Sequence, residues 1–141
     1  SGGKALPAFL PDEMLEEYLS RVTFERITPA TIRATAALRR ELAAVRSTGI
    51  AYVTEEFSPG IAGVARPILD STGLVLAAVN VAVPTVRFNE AARDHCEETL
   101  GIAATTIAQR HAGFIGHLPG RGNQASAVVV DEARSSMVRF P

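Results

Sequence analysis

The sequence predicts an α+β domain in which helices pack around an antiparallel β-hairpin, and three observations predict it. Ile61–Leu69 and Leu74–Val83 are extended, β-branched runs joined by Asp70-Ser71-Thr72-Gly73, an Asp-to-Gly connector of the kind that closes hairpins. The segments before and after carry apolar residues at helical spacing. Finally, 141 residues with 47% hydrophobic and 21% charged content suit one folded domain with a substantial core.

The elements follow in order. Pro11-Asp12-Glu13 opens a helix to about Leu19, with proline at an N-terminal position and acids in the first turn. Met14, Leu15, Tyr18 and Leu19 form its apolar face. Thr28-Pro29 marks a second short helical turn or a linker. Thr35 is expected to cap a helix running to about Ser47. Its stripe is Leu38, Leu42 and Val45, with Arg39, Arg40 and Arg46 off that face and Gly49 as the stop. Ile50–Glu55 reads as a strand, and Pro59-Gly60 as the turn before the hairpin.

In Leu74–Val83 both faces are mostly apolar, which predicts a central strand covered on two sides. Asn80 is its sole strongly polar side chain. Two readings of it stand: a surface or satisfied amide, or an amide facing a ligand in an apolar pocket. Asn89 is expected to cap a long helix to about His111 or Gly113, with Cys96, Leu100, Ala103, Ala104 and Ile107 as its core stripe. Beyond it, 117–123 is turn-rich and Ala125–Val130 reads as a short strand.

Composition excludes several functions. A net charge of −1 offers no basic face for a phosphate backbone. One cysteine allows no intrachain disulfide. No apolar run is membrane-length and no signal peptide opens the chain, so the cytoplasm is the expected compartment. Ser1-Gly2-Gly3-Lys4, without methionine, reads as cut from something longer or as a short cloning scar.

Chemistry is sought and not found. His95 and His111 lie sixteen positions apart, which is not metal-ligand spacing, and Cys96 points away from His95. Ser1-Gly2-Gly3-Lys4 resembles the end of a phosphate loop, but Ala5 stands at its Ser/Thr position and no strand precedes it. Glu55-Glu56 lacks a partner acid or nucleophile and reads as one packing-side and one solvent-side glutamate. No enzyme, metal or cofactor is predicted. The 49–84 stretch is built to enclose something rather than react with it.

The order of features carries a resemblance. Gly3-Lys4-Ala5-Leu6, Leu10-Pro11-Asp12-Glu13 and Val45-Arg46-Ser47-Thr48-Gly49 come first. Glu55-Glu56, Gly60-Ile61, Ala65-Arg66-Pro67-Ile68, Asp70, Gly73 and Ala77-Ala78-Val79-Asn80-Val81 follow. Over roughly residues 2–113 the set resembles the C-terminal effector-binding domain of IclR-type transcriptional regulators. The resemblance implies a GAF-like α+β fold, an antiparallel sheet flanked by helices with a long C-terminal helix. Residues 1–113 would form a partial effector-binding domain, and 114–141 a flexible loop and C-terminal extension.

It further implies a small organic or aromatic acid effector, homodimers or homotetramers, and DNA binding only through an absent upstream winged helix-turn-helix domain. The family's sheet normally takes strands from a preceding half, so an exposed sheet edge is expected here. Carried over by position, Gly2 and Gly3 resemble a turn whose amides hold a ligand carboxylate. Val53, Ile61, Gly63, Asn80 and Ala82 resemble pocket-lining positions. Val53, Gly63 and Ala82 lack the polar side chains found there in members that bind small oxoacids, leaving Asn80 as the one polar anchor. Unpaired ligand oxygens would cost free energy in such a pocket. Gly63 and Ala82 are therefore expected to make room for a larger, more apolar acid. Two other functions fit the residues: an assembly module that has lost its ligand, and a GAF-like sensor of another signalling protein.

Overall fold

The computed structural model describes residues 1–115. It begins with a single helical turn, α1 (Gly2–Ala5), and a 3-10 turn at Pro7–Phe9. The helices α2 (Asp12–Arg21) and α3 (Thr35–Thr48) follow. Three strands, β1 (Ala51–Thr54), β2 (Ile61–Leu69) and β3 (Val75–Pro84), precede the long helix α4 (Glu90–Ile115). The strands form one antiparallel sheet in the order β1-β2-β3.

Strand alternation sorts the sheet into two faces. On one, Ala51, Ala65 and Ala78 pack beneath Ala5 and Ala8 and against Leu19, Leu38, Leu42 and Val45. Alanines here let α1, α2 and α3 lie close to the sheet. On the other face α4 packs on β2 and β3. Arg46, off the α3 stripe, reaches back to the Ala8 and Leu10 carbonyls at 2.6 and 2.5 Å and to Asp12 at 3.2 Å, clasping α3 to the start of α2.

Many local signals are realised. Gly49 ends α3 at φ +72°, in the left-handed region glycine tolerates. The Asn89 Oδ1 accepts the Ala92 N–H at 2.9 Å and caps α4. In the hairpin turn, Asp70 Oδ1 accepts from the Thr72 N–H, the Thr72 hydroxyl and the Leu74 N–H. Those donors hold the Asp70 carboxyl below its usual range, the Thr72 hydroxyl foremost.

Three expectations are corrected, and one open alternative is decided. Thr35 is already helical, and Ala34 occupies the cap without a side-chain bond. Of the two readings of Thr28-Pro29, the linker holds: the Thr28 hydroxyl accepts the Ala30 N–H at 3.1 Å, a local turn that competes with helix, and donates to the Glu55 carbonyl at 2.5 Å. Strand β1 stops at Thr54 because Glu55 turns to φ +56°. Strand β3 is an edge strand, hydrogen-bonded only to β2 among the described residues, with Ala77, Asn80, Ala82 and Pro84 exposed. Its two apolar faces do not both find cover: β2 is the central strand, and its Ala62, Val64 and Ala65 are fully buried.

The α4 stripe is buried at Leu100 and Ala104, but Ile107 is 43% exposed and rims a cleft with Ile68, Leu76, Ala77 and His111. The loop expected at 117–123 and the strand expected at Ala125–Val130 lie outside the described residues.

Candidate functional site

Antiparallel register assembles the site. Val53 pairs with Gly63, and Gly63 with Ala82, so the three form one row across the sheet. Asn80, opposite Ala65, belongs to the next row on the same face, and Ile61 is paired with Pro84 at its end. This is the face covered by α1. All seven predicted positions therefore fall on one side of the sheet, although they come from four separate segments.

Their environments differ. Gly63 is buried, Val53 and Gly2 are half-buried, and Gly3, Ile61, Asn80 and Ala82 are exposed. Asn80 thus stands at the open margin of the face, and its amide has no hydrogen-bond partner among the described residues. The N–H groups of Gly2 and Gly3 lie in the first turn of α1, where a helix supplies no acceptor. Nothing stands within 4 Å of where a Cβ would lie on either glycine, so there is open space beside the turn.

Gly63 corrects an expectation. A Cβ there would stand 2.9 Å from Val53 Cγ2 and 3.0 Å from Ser1 Oγ, so the space above Gly63 is already filled. Glycine at this position permits close packing of β1 and the α1 turn rather than enlarging a pocket. The open side of the row lies toward Ala82 and Asn80.

Sequence reasoning missed the residue that fixes the turn. Lys4 is buried, and its ammonium donates to Glu56 Oε1 at 2.6 Å, Glu41 Oε2 at 3.1 Å and the Tyr52 carbonyl at 3.2 Å. All three of its hydrogens are thereby engaged. A lysine beside the apolar run Ala5-Leu6-Pro7-Ala8 was the available signal, since a buried ammonium requires acids. Glu55 and Glu56 are both half-buried, so neither is simply solvent-facing. Glu55 Oε1 accepts the Gly60 N–H at 3.1 Å, while the Thr31 hydroxyl holds the Glu56 carbonyl at 2.7 Å.

The opposite face carries a second polar cluster. The Tyr52 hydroxyl donates to Glu97 of α4, Arg93 Nε donates to the same carboxylate at 2.9 Å, and the Arg93 guanidinium lies 4.5 Å from the Tyr52 ring centroid. The Tyr52 hydroxyl and then Arg93 hold the Glu97 carboxyl below its usual range. Burial first, and then the bond to Glu97, raise the Tyr52 phenol. Arg66 lies nearby, with Nε buried and without a hydrogen-bond partner, and 3.6 Å from where a Cβ on Gly101 would stand.

Known proteins resemble this chain in sequence and fold. A curated relative, the HTH-type transcriptional regulator KdgR of Dickeya chrysanthemi, is 35% identical over 108 residues, covering 77% of this chain and 35% of that protein. The chain thus spans about a third of the length of that relative. The crystal structure of the Thermotoga maritima IclR superposes with a TM-score of 0.74 at 34% identity, over 78% of this chain and 44% of that one. A double mutant of the PobR transcription factor inducer-binding domain from Acinetobacter, in complex with 3-hydroxybenzoic acid, superposes with a TM-score of 0.70 at 30% identity. That match covers 77% of this chain and 62% of that one. These relatives are transcriptional regulators, and no described helix here is long and apolar enough to cross a membrane. The family model for the bacterial transcriptional regulator IclR C-terminal domain matches residues 1–109, and the chain belongs to that family of effector-binding domains.

Proposed function

We propose that residues 1–113 sense a small organic acid and relay its presence to a DNA-binding domain elsewhere in the parent regulator. The observation that carries the reading is the open Gly2-Gly3 turn standing over the face that presents Val53, Gly63, Asn80 and Ala82. Backbone N–H groups suit a carboxylate, and an apolar floor suits a ring. The acid's carboxylate binds at Gly2 and Gly3, its body lies over Ala82, and Asn80 hydrogen-bonds a substituent. Ile61 and Val53 close the floor.

The related domain complexed with 3-hydroxybenzoic acid supports an aromatic acid as the class of effector. The chain acts as a homodimer or homotetramer, and effector binding shifts it between states of different operator affinity. DNA is contacted only by the winged helix-turn-helix domain. The exposed edge of β3 is where further sheet would attach.

Calorimetric titration with hydroxybenzoates, glyoxylate and pyruvate tests the reading. Tighter binding of the aromatic acids is expected. Tighter binding of glyoxylate or pyruvate would overturn the effector class, and heat-silent titrations with no thermal shift for any acid would overturn ligand sensing.

A further inference from the structure

Tyr52 is held from both sides of the sheet. Its carbonyl accepts the Lys4 ammonium at 3.2 Å, which ties β1 to the α1 turn. Its side chain points to the other face, where the hydroxyl donates to Glu97 and the ring lies under Arg93, both on α4. Lys4 is anchored in turn to Glu41 of α3 and Glu56 of the β1–β2 loop. One residue of a four-residue strand therefore joins the proposed ligand turn to the long helix.

We propose that Lys4 is a positioning residue acting through Tyr52: it sets the place of the Gly2-Gly3 turn and couples that place to how firmly α4 is docked. The physical reason is the cost of slack. Lys4 has no spare hydrogen and is buried, so displacing the turn either moves the Tyr52 backbone with it or leaves a buried charge short of partners. Moving Tyr52 strains a charge-assisted bond to Glu97 whose carboxylate is also fixed by Arg93. Arg46, by contrast, clasps α3 to α2 without touching β1 or α4 in any bond it makes. The biological use of this connection rests on the ligand-turn reading. The connection itself can be tested with no ligand.

Cys96 is the sole thiol of the chain, half-buried on α4 beside Glu97, so its alkylation rate reports α4 docking. The rate is measured in the native chain, in Lys4→Gln, in Tyr52→Phe and in the double variant. Lys4→Gln is expected to accelerate alkylation about three- to tenfold, and to add nothing further when Tyr52→Phe is present. Arg46→Gln is the control and is expected to act equally in both backgrounds, as any merely structural loss would. Glu56→Gln, which leaves the Glu41 and Tyr52 bonds of Lys4 in place, serves if Lys4→Gln does not fold, with the same pattern at smaller amplitude. Equal effects of the Lys4 or Glu56 change with and without the Tyr52 hydroxyl would overturn the proposal. So would no change in Cys96 alkylation in a folded Lys4→Gln chain. Either result leaves the calorimetric test of ligand sensing untouched.

Discussion

Gly63 and Val53 face each other across β1 and β2 with no room for even a methyl group, the Cβ position on Gly63 lying 2.9 Å from Val53 Cγ2. The nearest atoms are the Val53 γ-methyl, which a β-branched side chain holds with little freedom, and the Ser1 side chain. Gly63→Ala is therefore expected to destabilise the domain by about 1–3 kcal/mol, as overpacking of a tight core does. Denaturant unfolding measures it. An unchanged midpoint would show that Val53 and Ser1 yield freely.

Gly101 makes the opposite case. A Cβ there would meet Arg66 Nε at 3.6 Å and Cζ at 3.7 Å, which is ordinary contact, and the residue lies inside α4. Gly101→Ala is expected to stabilise by about 0.5–1 kcal/mol, the helix-propensity gain. The thermal midpoint should rise. A fall would mean that the Arg66 guanidinium needs the glycine surface itself.

Asn80 is exposed on β3 and contributes little to packing. Asn80→Ala should leave stability within about 0.5 kcal/mol of the parent while weakening a bound hydroxybenzoate by roughly tenfold. Paired melting and calorimetric experiments separate the two effects. Equal affinity in the variant would remove Asn80 from the site.

Glu97 has a depressed folded-state pKa, chiefly through the Tyr52 hydroxyl and then Arg93. A depressed carboxyl contributes stability that is present above its ordinary range and is lost as pH falls through the folded value. The stability gap between the native chain and Glu97→Gln should therefore be widest near neutrality and close progressively in acid. Melting curves between pH 7 and pH 3, where unfolded glutamate titrates at about 4.3, check the sign. A gap that widens in acid would contradict it.

Much of the fold was legible because its signals are local. The Leu38, Leu42 and Val45 stripe, Gly49, the Asp70–Gly73 turn and the Asn89 cap each act within a few residues, and each stands where sequence placed it. Thr35 was misread as a cap because the cap is the residue whose backbone lies just outside the helical region, and that is Ala34 at φ −139°. Of the site, the common face of Val53, Gly63 and Ala82 follows from strand alternation once the register is known. That Gly63 is filled rather than empty does not follow, since it depends on Ser1 arriving from another segment.

By itself, the sequence determined the elements, their caps and turns, the hairpin and the family order of short motifs, because these depend on near-neighbour sterics and on periodic burial. Only the tertiary structure decided which strand is central, how the exposed edge falls on β3, and which partners Lys4 finds. An apolar strand is indifferent to where it lies in a sheet until its neighbours are counted. A lysine next to two glycines resembles a phosphate loop until its ammonium is found between Glu41, Glu56 and the Tyr52 carbonyl. Burial of a charge is a long-range transaction, settled by residues up to 52 positions away.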